Sequence, residues 1–130
     1  MQGVLSMTQK ILIIDDEKSM LFLSRAILTS AGYEVFTEAD STKAYDTVLF
    51  TKPDLILMDI VMPEINGIEL ARRIRENPEL KETHIFALTG MPMLTENNRV
   101  YFEKIILKPF HMDSLLAELK AFFAGQAVAV

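Results

Sequence analysis

Four short, uninterrupted apolar runs place the tightest limit on what this chain can fold into. They are ILII at residues 11–14, LILM at 55–58, IFAL at 85–88 and IIL at 105–107. Runs of this length without polar alternation are typical of strands buried on both faces of a sheet. Segments of helical period separate them, and strands joined through helices connect by right-handed crossovers. The sequence therefore predicts an α/β fold, a parallel sheet with helices on both faces.

The segments between the runs supply the helices and one further strand. Tyr33 begins a looser alternation, YEVFTEA, as expected of an outer strand, and Gly32 before it suits the C-terminal end of helix one. Ser41 is a candidate N-cap for helix two, which Pro53 prevents from continuing. The apolar positions predicted to face the core are Met20, Leu23, Ile27 and Ala31 in helix one, Ala44, Val48 and Leu49 in helix two, and Ile68, Ala71 and Ile74 in helix three.

Length and composition fit one compact domain. The chain has 130 residues, half of them apolar, which is enough for a single core without disulfides or structural metals. We expect a domain over residues 10–124, a flexible N-terminal extension over 1–9 and a flexible tail over 125–130. Cysteine is absent, so any chemistry must come from oxygen and nitrogen groups.

Charge and terminal sequence exclude some classes of function. Thirteen basic residues against eighteen acidic ones give a net charge of −5, which argues against direct nucleic-acid binding. The first residues, MQGVLSMTQ, lack the basic region of a secretion signal, and no apolar run approaches the roughly 20 residues of a membrane span. We therefore expect a cytoplasmic protein without membrane insertion.

Polar residues stand where the predicted strands end. Asp15 and Asp16 follow the first run, Asp59 ends the second, Thr89 and then Gly90 follow the third, and Lys108 follows the last. In open parallel α/β sheets, ligands bind outside the carboxyl ends of the strands. Each residue alone has an ordinary structural interpretation as a turn, cap or edge residue. Together they predict one edge with three carboxylates, a hydroxyl and an ammonium.

This combination points to phosphate chemistry. Three crowded carboxylates repel one another unless a metal ion or Lys108 balances their charge. Oxygen ligands without His or Cys favour Mg²⁺, or a similar ion such as Mn²⁺, which often shares its coordination shell with phosphate. A carboxylate can accept a phosphoryl group where positive charge surrounds the transferred oxygens. Asp59 is thus placed to receive phosphate.

Four ordered motifs carry a resemblance to a known family. They are the acidic pair in ILIIDDE, the strand and turn in DLILMDIVMPEING, the Thr-Gly in FALTG and the Lys-Pro-Phe in IILKPF. Over about residues 10–123 the sequence resembles the receiver domains of two-component response regulators. The resemblance implies a doubly wound, flavodoxin-like sheet of five strands in the order 2-1-3-4-5.

The resemblance also implies roles for individual residues. Asp59 would be the phosphoacceptor, and Thr89 and Lys108 would contact the phosphoryl group. The implied ligands of Mg²⁺ are Asp16, Asp59 and the backbone carbonyl of Val61, with Asp15 acting through water. The implied partners are a sensor histidine kinase or phosphotransfer protein as donor and a separate target protein. The sequence leaves open whether the chain forms a homodimer.

Two features depart from the family pattern. Receivers commonly carry an aromatic residue three positions before the lysine, where this chain has Ile105, so the usual aromatic switch is expected to be missing. The stretch from Thr89 to Lys108 is also a few residues shorter than in the family pattern, which predicts a reduced helix four. Tyr101 and Phe102 in this stretch either replace the switch or belong to the core.

Alternatives from other classes remain at this point. A degenerate receiver could act as a phosphorylation-independent interaction module, as Ile105 suggests. A phosphohydrolase of the haloacid dehalogenase type needs a second Asp two residues after the nucleophile, where Val61 stands. The chain is therefore expected to be a signalling protein and not an enzyme. Three arginines on predicted helix three, Arg72, Arg73 and Arg75, are interpreted as a solvated face.

Overall fold

The computed structural model describes residues 8–90 and 96–128, with one parallel sheet of five strands. The strands are β1 (Lys10–Ile14), β2 (Glu34–Glu38), β3 (Leu55–Asp59), β4 (His84–Thr89) and β5 (Lys104–Leu107). The helices are α1 (Lys18–Ser30), α2 (Ala44–Thr51), α3 (Gly67–Glu76), α4 (Glu96–Arg99) and α5 (Met112–Val128). The strand order β2-β1-β3-β4-β5 confirms the order that the family resemblance implied.

Two apolar clusters cover the two faces of the sheet. Ile11 and Ile13 of β1 point to one face, where they pack with Leu21 and Leu28 of α1 and with α5. Leu12 on the other face packs against α2 and α3. Because neighbouring residues in a strand point to opposite faces, a strand covered on both sides needs apolar residues at every position. This requirement explains the continuous apolar runs.

The predicted apolar face of α1 is confirmed for Met20, which packs against the core, and wrong for Leu23. Leu23 is 55% exposed, whereas Leu21, Ser24 and Leu28 are buried. The Ser24 hydroxyl lies within hydrogen-bonding distance of the sulfurs of Met20, at 3.5 Å, and Met112, at 3.9 Å. Because Ser24 interrupts the apolar pattern on the buried side of α1, the helical period fitted a neighbouring set of apolar residues better, and that set includes Leu23. Gly32, at φ 105°, does follow the end of α1 as expected.

The predicted N-cap of helix two is also wrong. Asp40 provides the cap, because its carboxylate accepts hydrogen bonds from the Thr42 backbone N–H at 2.9 Å and from the Thr42 hydroxyl at 2.6 Å. These bonds lower the pKa of Asp40 below its ordinary value. They fix a short 3₁₀ turn, Ser41–Lys43, that leads directly into α2. The Ser41 side chain is buried and makes a different contact, described below.

The region before β5 supports the core interpretation of its two aromatic residues. Tyr101 and Phe102 are half-buried against the cluster beneath α2 and α3. The described part of α4 is a single turn, and because residues 91–95 lie outside the described ranges, the reduction of helix four stays a prediction. Ile105 is half-buried in β5. At the C-terminal end, residues 125–128 continue α5 where a tail was expected.

No helix within the described ranges is both long and apolar enough to cross a membrane.

The interpretation of the three arginines as a solvated face is wrong for Arg75. Its Nη1 donates to the Thr83 carbonyl at 2.6 Å and its Nε donates to the Tyr101 carbonyl at 3.1 Å. Burial lowers the pKa of its guanidinium below the ordinary value. Arg72, in contrast, pairs with Glu69 and Glu76 at the surface of α3. Arg75 thus ties α3 to the segments that enter β4 and β5.

Arg75→Ala is expected to lower the free energy of unfolding by about 2 kcal/mol, because it removes a charged donor from two backbone carbonyls. Urea unfolding monitored by circular dichroism measures this change. Arg72→Ala is the matched control from the same helix, and its exposed pairs should leave the midpoint close to the parent's. Equal midpoints for the two variants would show that the Arg75 contacts contribute little.

Candidate functional site

The predicted site residues converge at the carboxyl edge of the sheet. Ile14 lies opposite Met58 in the register of β1 and β3, so Asp15 leaves β1 at the level of Asp59. Asp59 is in turn paired with Leu88 of β4, and Thr89 follows immediately. Backbone pairing thus brings residues that are distant in sequence to one edge, as the strand-end argument predicted.

Three carboxylates form a compact cluster there. Asp15, Asp16 and Asp59 each offer an oxygen, and these oxygens all lie within 4.8 Å of one another. Asp15 is 1% exposed and Asp59 is 7% exposed, whereas Asp16 is exposed. The cluster is therefore buried on the side of the sheet and accessible to solvent beside Asp16.

Lys108 provides the positive charge in this cluster. Its Nζ lies 2.9 Å from Oδ2 of Asp15 and 3.6 Å from Oδ2 of Asp59. Burial lowers the pKa of its ammonium, but the hydrogen bond and charge of Asp15, together with Asp59, raise that pKa above its ordinary value. The Lys108 backbone N–H donates to the Thr89 carbonyl at 2.8 Å, and this bond fixes the backbone of Lys108 beside the end of β4.

The carboxyl group of Asp59 has an unusual electrostatic environment. Burial raises its pKa above the ordinary value, and the negative charge of Asp15 raises it further. Lys108 and a hydrogen bond from the Val61 backbone N–H act in the opposite direction without cancelling these effects. Asp15 is held in place from both sides, since its Oδ1 accepts from the Glu17 backbone N–H at 2.9 Å while its Oδ2 faces Lys108.

The donor set fits a hard divalent cation. Three carboxylates against one ammonium leave an excess of negative charge, and burial of Asp59, followed by the charge of Asp15, raises the pKa of the Asp59 carboxyl. Carboxylate and carbonyl oxygens are the ligands that Mg²⁺ and Mn²⁺ prefer. A cation held among Asp15, Asp16 and Asp59 would relieve the repulsion, while Lys108 is fixed beside the buried oxygens.

The remaining predicted residues lie around this cluster. Thr89 is 2% exposed at the end of β4, and Gly90 after it is exposed. Val61 stands two residues after Asp59, with its side chain 59% exposed and its N–H bonded to the Asp59 carboxylate. The backbone of Val61 therefore runs along the cluster, whereas its side chain faces solvent.

Gly67 has a structural importance that sequence reasoning missed. It is the first residue of α3, and its N–H donates to the Ile60 carbonyl at 2.8 Å. A Cβ at this position would lie 2.5 Å from the carbonyl oxygen of Asp59 and 2.8 Å from Cα of Ile60. Only glycine allows α3 to start this close to the end of β3. A glycine just inside a helix start, directly after the cap Asn66, was the available signal.

Comparisons with known proteins agree with this architecture. Residues 11–120 match the model of the response regulator receiver domain. The polar-differentiation response regulator DivK of Brucella ovis is 29% identical over 119 residues, which are 89% of this chain and 97% of that protein.

Two solved structures are similar to the whole fold. The chemotaxis response regulator CheY4 of Vibrio cholerae has a TM-score of 0.81 and 29% identity, covering 88% of this chain and 98% of that one. The response regulator TrrA of Thermotoga maritima, solved in complex with Mg(2+)-BeF, has a TM-score of 0.78 and 29% identity at the same coverage. Since the matched segment runs from β1 into α5 and contains the whole acidic cluster, this chain belongs to the response regulator receiver domain family of two-component signalling.

Proposed function

We propose that this protein is a phosphoacceptor switch that receives a phosphoryl group on Asp59 from a histidine kinase or a phosphotransfer protein. The observation that carries the proposal is the position of the Asp59 carboxylate, which is 7% exposed between two further carboxylates and the Lys108 ammonium. The change of charge at Asp59 then alters binding to a separate target protein. This role has the protein acting in the cytoplasm, without direct contact to nucleic acid.

Asp59 acts as the nucleophile in this proposal. One of its oxygens forms a bond to phosphorus while the bond between phosphorus and the nitrogen of the donor histidine breaks, and the electron pair of that bond leaves with the donor. The Lys108 ammonium, 3.6 Å from Asp59, lies where it can stabilise negative charge on the transferred oxygens. The Thr89 hydroxyl, at the end of the neighbouring strand, is assigned to a hydrogen bond with the arriving phosphoryl group.

The residues that would hold Mg²⁺, or Mn²⁺, are Asp16, Asp59 and the Val61 carbonyl, with Asp15 contributing through water. When bound, the cation neutralises charge on the phosphoryl oxygens and on the acceptor. TrrA, which has the same fold, was solved in complex with Mg(2+)-BeF, and this supports a Mg²⁺ site in the present chain. Asp15 is bonded to Lys108 and to the Glu17 N–H, so its own oxygens are largely committed to protein partners.

One observation favours a second function. Ile105 occupies the place of the usual aromatic switch and is half-buried in β5, and Tyr101 and Phe102 pack in the core. A receiver without a mobile aromatic residue could present a constant surface and act as a phosphorylation-independent interaction module. The two functions differ in whether Asp59 becomes modified. A phosphohydrolase remains disfavoured, because Val61 offers no acid or base.

The deciding experiment incubates the protein with acetyl phosphate and Mg²⁺ and records its intact mass. We expect a single phosphoryl adduct in the parent and none in Asp59→Asn. Asp54→Asn is the matched control. Asp54 lies directly before β3, at the other end of the strand from Asp59, and its carboxylate accepts from the Lys10 N–H at 2.7 Å. It should be labelled like the parent. Labelling of Asp59→Asn would refute the assignment of the acceptor, and absence of any adduct in the parent would favour the interaction module.

A further inference from the structure

The connection between β3 and α3 contains a strained turn. The Ile65 N–H donates to the Pro63 carbonyl at 2.7 Å, which closes a γ-turn around Glu64. Glu64 has φ 68°, a conformation that residues with a Cβ rarely adopt. Such conformations cost free energy and persist only where the surroundings hold them. Something outside this turn must therefore stabilise it.

Ser41 supplies this contact from a different part of the chain. Its hydroxyl donates to the same Pro63 carbonyl at 2.5 Å, and the residue is 3% exposed. With the Ile65 N–H, the two donors use both lone pairs of that carbonyl oxygen. Ser41 is itself fixed, because it lies in the 3₁₀ turn that Asp40 caps through Thr42. The strained turn is thus bonded to a rigid element.

The contact reaches the acidic cluster through a short piece of backbone. Gly67 anchors the connection at one end by its bond to the Ile60 carbonyl, and Ser41 anchors it near the middle at Pro63. Val61 lies between these two anchors, with its N–H on the Asp59 carboxylate. Two fixed points on either side of such a short segment leave its backbone little freedom. Removing the Ser41 hydroxyl would release one of them.

We infer that Ser41 is a positioning residue for the cation site, because its hydroxyl holds the Pro63 carbonyl and thereby keeps the Val61 backbone beside Asp59. This inference rests on the proposed function, since it requires that the cluster binds a divalent cation. Ser41 is not one of the residues assigned to the cation or to the phosphoryl group. Its effect passes through the β3–α3 connection alone.

The test is a Mg²⁺ titration of Ser41→Ala by isothermal calorimetry, beside the rate of labelling by acetyl phosphate at saturating Mg²⁺. We expect the dissociation constant for Mg²⁺ to rise about three- to tenfold, as for the loss of one hydrogen bond. The labelling rate at saturation should stay near the parent's. Hydrogen exchange of the Ile65 amide should also become faster, because its turn loses its outside support.

Thr51→Val is the matched control. The Thr51 hydroxyl is likewise buried and donates to a backbone carbonyl, that of Thr47 at 2.7 Å, but at the far end of α2. Loss of this hydroxyl should leave Mg²⁺ affinity at the parent's value, although both variants lose a comparable bond. Melting without Mg²⁺ shows that each variant is folded.

The outcomes separate the two proposals. If the parent binds Mg²⁺ and Ser41→Ala binds it equally well, the positioning role is overturned while the proposed function stands. An equal loss of affinity in Ser41→Ala and Thr51→Val would overturn it as well, since the effect would then be one of general stability. A parent that neither binds Mg²⁺ nor forms an adduct overturns the proposed function, and the positioning role with it.

Discussion

Gly67→Ala is expected to lower the free energy of unfolding by about 2 to 3 kcal/mol. The new Cβ would lie 2.5 Å from the Asp59 carbonyl oxygen and 2.8 Å from Cα of Ile60, and both neighbours are backbone atoms at the end of β3. No side-chain rotation can relieve this contact. Either α3 must move away from the sheet or the end of β3 must shift, and both movements break the bond from the Gly67 N–H to the Ile60 carbonyl.

Urea unfolding of Gly67→Ala measures this loss, and a Mg²⁺ titration of the variant reports the displacement of Asp59. Gly125→Ala is the control, because a Cβ there meets no atom within 4 Å and the residue lies inside α5. In that helix the exchange should leave stability unchanged or raise it by up to about 1 kcal/mol. If Gly67→Ala unfolded at the same urea midpoint as the parent, the start of α3 would accommodate a Cβ without loss of stability, and the prediction would be wrong.

The sheet could be predicted because its signal is local. Buried strands such as residues 11–14 and 55–58 need apolar side chains on both faces, so each run identifies a strand without knowledge of its neighbours. The order of the strands could not be predicted in this way, because the alternation of strands and helices indicates only that the sheet is parallel. The order came from the family resemblance, and the structure confirms it.

Helix faces and caps were predicted less well, because several neighbouring residues in the sequence are suited to the same role. In α1, Ser24 lies on the buried side and Leu23 on the exposed side, so a purely apolar period includes an exposed residue and omits a buried one. Before α2, Asp40, Ser41 and Thr42 are all suitable caps by type. Only the three-dimensional structure shows that Asp40 caps the turn and that Ser41 contacts Pro63.

The site was predictable to the extent that strand ends define it. Backbone pairing of parallel strands brings Asp15, Asp59 and Thr89 to one edge wherever the runs are placed correctly. The contacts that support the site or the packing of helices on the sheet are of another kind. Gly67 against Asp59 and Arg75 against Tyr101 join residues whose spacing carries no periodic signal. Such contacts depend on how helices and loops settle on the sheet, which a single sequence does not encode locally.

Lys108→Ala is expected to slow the labelling of Asp59 by acetyl phosphate about a hundredfold, the usual effect of removing one fixed charge from a developing anion. The ammonium lies 2.9 Å from Asp15 and 3.6 Å from Asp59. Without it, the two buried carboxylates have no ion pair with another basic side chain of residues 8–90 and 96–128, so a further negative group is less easily accepted. Intact mass followed over time, at saturating Mg²⁺, measures the rate.

Lys104→Ala is the control for the loss of a lysine from the same part of the chain. Lys104 begins β5 and pairs with Glu118 at 2.7 Å, away from the acidic cluster, so its loss should leave the labelling rate unchanged.

Thermal melting separates the two roles that Lys108 could have. Asp15, 1% exposed, loses its cationic partner in Lys108→Ala, so the variant should melt lower than the parent without Mg²⁺ and regain much of the difference when Mg²⁺ is added. A collapse of the melting temperature that Mg²⁺ does not reverse would instead identify Lys108 as a structural lysine, because Mg²⁺ can offset the repulsion among the carboxylates of the unmodified protein but cannot restore a structural contact of the side chain.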